Sequence, residues 1–128
     1  MYILDENISV EEKAHLLARH IHVRQIGVEV GRLGMKDIDE IIPLLHTLRQ
    51  PTFFTRDKDF YKARLRHEDY CLVLLDVDFD EVAEYIVWFL RHASFRTRAQ
   101  RMGKVVRVRR GGLTWWEKDA KAEHVVSW

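Results

Sequence analysis

Three observations predict an α/β fold with a mainly parallel sheet flanked by helices. β-branched and aromatic runs alternate with segments of helical periodicity over residues 1–95. One run, Cys71-Leu72-Val73-Leu74-Leu75, is unbroken, as suits a central parallel strand covered on both faces. Three runs end on or beside acids, at Asp5, Asp57 and Asp76, and in open α/β sheets the carboxyl ends of the strands border the ligand crevice.

Tyr2-Ile3-Leu4 reads as a first strand that ends at Asp5-Glu6-Asn7. Ser9, with Glu12 three residues later, has the pattern of a capping box, so a helix should run from there to about His20. Ile21 to Ile26 alternates as a second strand. Gly27, Gly31 and Gly34 then punctuate a loop before a helix with acids in its first turn, where the helix dipole favours negative charge. Pro43 near its start places the N-cap at Asp39, with Asp37 as the alternative, and Ile41, Ile42, Leu44, Leu45 and Leu48 form its apolar stripe.

Thr52-Phe53-Phe54-Thr55 has the composition of a short buried strand. A short helix capped by Asp59 should follow, through about Arg66. After the Cys71 strand, Asp80 opens a helix with Val82, Ala83, Ile86, Val87, Phe89 and Leu90 at helical spacing. The rhythm changes over residues 96–128. Lys104 to Arg110 alternates basic and apolar, Gly111-Gly112 is a two-residue turn, and Leu113 to Glu117 returns as a strand. The expected organisation is one domain: an α/β body over 1–95, extended over 96–128 by a basic hairpin.

The net charge of +1 conceals an asymmetry: residues 1–90 carry 11 Lys/Arg against 17 Asp/Glu, and residues 91–128 carry 10 against 3. Such a basic end suits a polyanion such as RNA, and an unlike-charged dimer contact would use the same residues. Cys71 is the single cysteine, which excludes an intrachain disulfide and a Cys-rich metal site and fits a reducing compartment. No apolar run nears the about 18 residues of a membrane span, and Asp5 and Glu6 come too early for a signal peptide. A cytoplasmic location is expected.

Asp5, Asp57 and Asp76 should approach one edge of the sheet, with the helix start at Asp39 facing the same crevice. Carboxylates brought together repel one another, whereas hard oxygen ligands in that arrangement suit Mg²⁺ or Mn²⁺. A bound ion would activate a water or polarise a phosphodiester, so phosphoryl chemistry leads. Asn7 or Thr55 would orient a water or phosphate, or simply shape turns. Asp37 and Glu40 fit first-turn dipole partners as well as accessory ligands, and Asp59 fits a cap. Arg98, Arg101, Lys104, Arg107, Arg109 and Arg110 are candidate phosphate contacts, or a solvated or dimeric strand face. Trp115 and Trp116 should face opposite ways, one toward the core and the other free to stack on a base or partner. His15, His20 and His22 have no zinc-ligand spacing, and the seven histidines read as surface residues.

Asp5-Glu6-Asn7 after the first strand, Asp39 opening a helix with Ile42 at the third following position, and Thr55-Arg56-Asp57-Lys58-Asp59-Phe60 together resemble the PIN-like domains. These are small metal-dependent ribonucleases, often the toxins of bacterial toxin–antitoxin pairs. Asp39 stands sixteen residues before Thr55, as the helix acid of that family does. The resemblance spans roughly residues 1–90. It implies that Asp5, Asp39 and Asp57 hold Mg²⁺ or Mn²⁺ and hydrolyse RNA, with an antitoxin protein as a possible partner. The alternative it leaves open is a catalytically weak PIN-like protein that binds a protein partner or nucleic acid.

Overall fold

The structure is a computed structural model that describes residues 1–128. Seven strands form one sheet in the order β2-β1-β3-β4-β5-β6-β7. These are β1 (Tyr2–Leu4), β2 (Val23–Gln25), β3 (Thr52–Thr55), β4 (Cys71–Asp76), β5 (Val105–Arg109), β6 (Gly112–Trp116) and β7 (His124–Ser127). The first five run parallel, and β6 and β7 add antiparallel strands at one edge. The helices are α1 (Val10–Ala18), α2 (Ile38–Thr47), α3 (Val82–Arg91) and α4 (Arg98–Arg101). None is long and apolar enough to cross a membrane.

Strand alternation divides the core in two. Leu4, Phe54, Val73 and Val106 point to the face covered by α1 and α3, where Leu16, Val82, Ile86 and Phe89 meet them. Their chain neighbours Ile3, Phe53, Leu72 and Val105 point to the other face, against Ile41 and Leu45 of α2 and Phe60 and Leu65 of the following loop. A parallel sheet covered on both faces needs apolar residues on both, which is why β4 is an uninterrupted hydrophobic run. Connections from β1 to β2 and from β3 to β4 leave in opposite directions. The carboxyl ends of β1 and β3 therefore border the topological switch point, where open α/β sheets leave a crevice.

Several element boundaries differ from the sequence reading. Ser9 does cap α1, its hydroxyl accepting the Glu12 N–H at 3.2 Å. Glu12 does not complete the box. It is buried, and its carboxylate accepts the backbone N–H of Ala83 at 2.9 Å, so a side chain of α1 caps the first turn of α3. That contact relieves α3 of the need for its own capping side chain, and the N-cap falls at Glu81 rather than Asp80. Asp37, not Asp39, occupies the N-cap of α2. The expected helix after β3 is two 3₁₀ turns, Lys58–Phe60 and Ala63–Leu65, the first capped by Asp57 rather than Asp59.

The basic segment is not an appendage. β5 pairs in parallel with β4 from Leu72↔Val105 to Asp76↔Arg109, continuing the sheet of the body. The hairpin turn is Arg110-Gly111, because Gly112 already pairs with Arg109. A Cβ on Gly112 would lie 2.0 Å from the carbonyl oxygen of Val126, so glycine there lets β7 approach. α4, whose Thr97–Gln100 capping box is a local Thr-x-x-Gln signal, and β7 are additional to the elements expected from the sequence.

Candidate active site at the carboxyl edge of the sheet

β1 and β3 lie side by side, Leu4 opposite Phe54, so the residues that follow them meet at the switch point. Asp5 is 5% exposed there. One of its carboxylate oxygens accepts the Glu6 N–H at 2.7 Å and the other accepts the Thr55 hydroxyl at 2.6 Å. The same Thr55 oxygen accepts the N–H of Asp57 at 3.0 Å. One fully buried hydroxyl thus joins the two acids. Asp57 turns one oxygen to the N–H of Asp59 at 2.9 Å.

The electrostatics follow from burial. Desolvation raises the Asp5 pKa above the ordinary carboxylate range, and the charge of Asp57 adds to the rise. The hydrogen bonds from Thr55 and Glu6 oppose it without cancelling it. Asp5 is therefore a buried acid whose charge lacks a cationic partner.

Gln25, at the end of β2, holds the backbone of this corner. Its buried amide donates to the carbonyls of Asp5, Glu6 and Ile8 at 3.1, 3.3 and 2.7 Å. Glu6 reaches across to the Gly34 N–H at 2.7 Å and ties the glycine loop to the acid corner. A polar residue on an inward position of a short strand was the available signal for Gln25.

The other expected site residues are distributed differently. The carboxylates of Asp5, Asp39 and Asp57 do not all come within 4.8 Å of one another. Asp39 is exposed in the first turn of α2, Asp37 is exposed at its cap, and Glu40 pairs with Arg32. Asn7 and Asp59 are exposed. Asp76 is engaged by Arg107, whose guanidinium donates to it at 2.5 and 3.0 Å and holds its carboxyl below the usual range.

Most of the basic residues expected to grip a polyanion are engaged by partners within the chain, whether buried like Arg101 or exposed like Arg110. Arg101 is 4% exposed, donating to Thr52 and to the Phe95 carbonyl while its guanidinium lies over Tyr2. Arg107 serves Asp76, and Arg110 binds Asp78 at 2.9 Å and Glu81 at 2.8 Å. Lys104 lies 3.7 Å from Glu117 and over the Phe95 ring. Arg109 has a buried Nε without a partner. Trp115 is core, as one of the pair had to be, but Trp116 packs on the opposite core face under the Arg66 guanidinium. An alternating strand in the middle of a sheet spends its charges on neighbouring strands, and this is why the charge run did not remain free.

The surface clefts lie away from the acid corner. The largest, about 440 Å³, is lined by Arg64, Arg66, His67, Glu68 and Lys118 among others. One group of three potential metal ligands does gather within 4.8 Å: His46, His67 and Asp69. None of these entered the sequence reading as a ligand, because His46 is 21 positions from His67 and no local spacing connects them. Compared with protein-family models, curated proteins and solved structures, the chain matches none.

Proposed function

We propose that the chain is a PIN-like, metal-dependent ribonuclease whose reaction takes place at the Asp5–Thr55–Asp57 corner. The observation that carries the reading is Asp5: a buried carboxylate at the switch point, bound through Thr55 to a second acid and paired with no Lys, Arg or His side chain. Burying such a charge costs stability unless something positive compensates it.

The residues fit a hard divalent ion. Mg²⁺ binds through one or two carboxylates and keeps several waters, so Asp5 and Asp57 suffice as direct ligands, and Asp39 would act through water. When bound, Mg²⁺ or Mn²⁺ supplies a Lewis acid for the phosphodiester and lowers the pKa of water. The chain's own residues do the rest. Thr55 fixes the separation of the two acids, and Gln25 holds the Asp5–Ile8 turn in place. Lys58 and Arg109, whose charges both act on Asp76, border the same edge and would face a phosphate. The assignment of RNA as substrate and of an antitoxin protein as partner rests on the resemblance of the Asp5-Glu6-Asn7 and Thr55-to-Phe60 motifs.

A second reading is favoured by the internal pairing of Arg101, Arg107 and Arg110: a PIN-like protein that binds a partner without turnover. Calorimetric titration of Mn²⁺ into the wild type and Asp57→Asn, followed by incubation with a pool of small RNAs, separates the two. The nuclease reading expects binding lost in the variant, and RNA cleavage that requires metal and falls by about 100-fold or more in Asp57→Asn. Metal binding without cleavage selects the second reading. No Mn²⁺ binding by the folded wild type overturns the metal site.

A further inference from the structure

The three nitrogen and oxygen ligands on the opposite edge of the sheet differ in kind from the acids. His46 lies in the last turn of α2, which leads into the amino end of β3, and His67 and Asp69 precede the amino end of β4. We propose that His46, His67 and Asp69 form a second metal centre, for a borderline divalent ion of the zinc type.

The two distances to Asp69 are close to those within one coordination sphere, and all three ligand atoms lie within 4.8 Å of one another. Asp69 Oδ2 is 3.0 Å from His46 Nδ1 and 3.5 Å from His67 Nδ1. Ligands at zinc-type bond lengths in a tetrahedron stand about 3.3 Å apart, and the two observed distances bracket that value. His67 Nδ1 accepts the backbone N–H of Asp69 at 3.0 Å, and an ion bound through this nitrogen would replace that hydrogen bond. His46 Nδ1 faces the Asp69 carboxylate directly at 3.0 Å, a gap that a shared ion would bridge.

A tight His-x-Asp turn accounts for the contact between His67 and Asp69. It does not account for His46, which arrives from another element 23 residues before Asp69. The two imidazoles meet edge to face, ring centroids 4.5 Å apart. Tyr70 backs both, stacked on His67 at 5.7 Å and edge-on to His46 at 5.3 Å. Tyr70 is itself buried, its hydroxyl donating to the Leu65 carbonyl, so the wall behind the ligands is fixed. Two imidazoles and one carboxylate are a donor set for Zn²⁺, Co²⁺ or Ni²⁺ rather than for Mg²⁺, and three protein ligands leave a position open. A bound ion would bridge the end of α2 to the start of β4.

The test is titration of the metal-free, untagged chain with Co²⁺ in excess Mg²⁺, read by visible absorption and calorimetry. The expected result is one equivalent bound with the intense absorption of tetrahedral cobalt, displaced by Zn²⁺. His46→Gln and Asp69→Asn should each weaken binding by about tenfold or more, while Asp57→Asn leaves it unchanged. Zn²⁺ should raise the thermal midpoint of the wild type and not that of His46→Gln. Equal Co²⁺ affinity in the wild type and in a His46→Gln, His67→Gln double variant would overturn the proposal, and so would cobalt binding that is lost in Asp57→Asn. Because the two edges share no ligand, failure here leaves the reading of the acid corner standing, and the reverse holds as well.

Discussion

The two edges of the sheet gather potential ligands by opposite means. At the carboxyl edge the acids are drawn in by the fold: Asp5 is buried, both of its oxygens are occupied, and the hydroxyl that joins it to Asp57 is fully buried. At the amino edge His46, His67 and Asp69 are exposed side chains that meet above a buried tyrosine. The difference teaches where stability is tied to ligand geometry. A buried charge is held by its neighbours and costs free energy, so alterations around it are felt by the whole fold. A surface cluster can be removed with little effect on folding, and it reveals itself only when an ion arrives.

The largest expected effect tests this contrast directly. Thr55→Val removes the donor to Asp5 and the acceptor of the Asp57 N–H, and should destabilise the chain by about 1–3 kcal/mol in urea denaturation. His67→Gln should change stability by less than about 0.5 kcal/mol. Equal costs would break the comparison.

Next in size is a pH effect that contrasts Asp5 with Asp76. Asp76 is depressed by Arg107, so their pair contributes stability above the unfolded carboxylate pKa and loses it as pH falls through the folded value. Both groups are partly exposed, so Arg107→Gln should cost only about 0.2–1 kcal/mol at neutral pH. That cost should vanish once acidification has neutralised Asp76. Asp5 runs the other way. Its raised pKa means that its penalty is absent below the unfolded carboxylate value and grows as pH rises through the folded one. Urea midpoints of the wild type and Arg107→Gln across the acid range would check the sign.

The smallest effect sharpens the account of the corner itself. Because the Asp57 charge contributes to the rise at Asp5, Asp57→Asn should lower the Asp5 pKa, followed by carboxyl NMR titration. Thr55→Val should raise it further, since the Thr55 hydrogen bond favours the ionised form. An Asp5 titration indifferent to both changes would mean that burial alone sets it.

Much of the body was legible in the sequence because its signals are local. The β4 run, the Thr52–Thr55 strand, the periodic apolar face of α3 and the acids at strand ends each declare themselves within a few residues. Apart from caps displaced by two residues, as at Asp37 and Asp57, and the unexpected α4, the main failures share a physical cause, which is that the deciding partner lies far along the chain. Glu12 looked like half of a capping box and instead caps α3, 71 residues away. Arg101 and Arg107 looked like a free basic stripe until the strands beside them were in place. Gln25, fixing three carbonyls of the acid turn, shows locally only as a polar residue on an inward strand position, and His46, meeting His67 and Asp69, has no local pattern that could have marked it.

The placement of β1 between β2 and β3 also has a consequence in time. During synthesis β1 is made before both of its neighbours, and one of them, β3, begins only at Thr52. The Asp5–Thr55 hydrogen bond closes a span of 50 residues, and β5 follows later still. Long closures of this kind are paid in chain entropy before any contact rewards them, and they make parallel sheets slow to assemble. The corner that carries the acids therefore cannot form while the chain is half made. A nascent fragment lacking β3 has Asp5 but neither Thr55 nor Asp57, so the ribosome would carry no assembled acid pair until β3 and the turn after it had emerged.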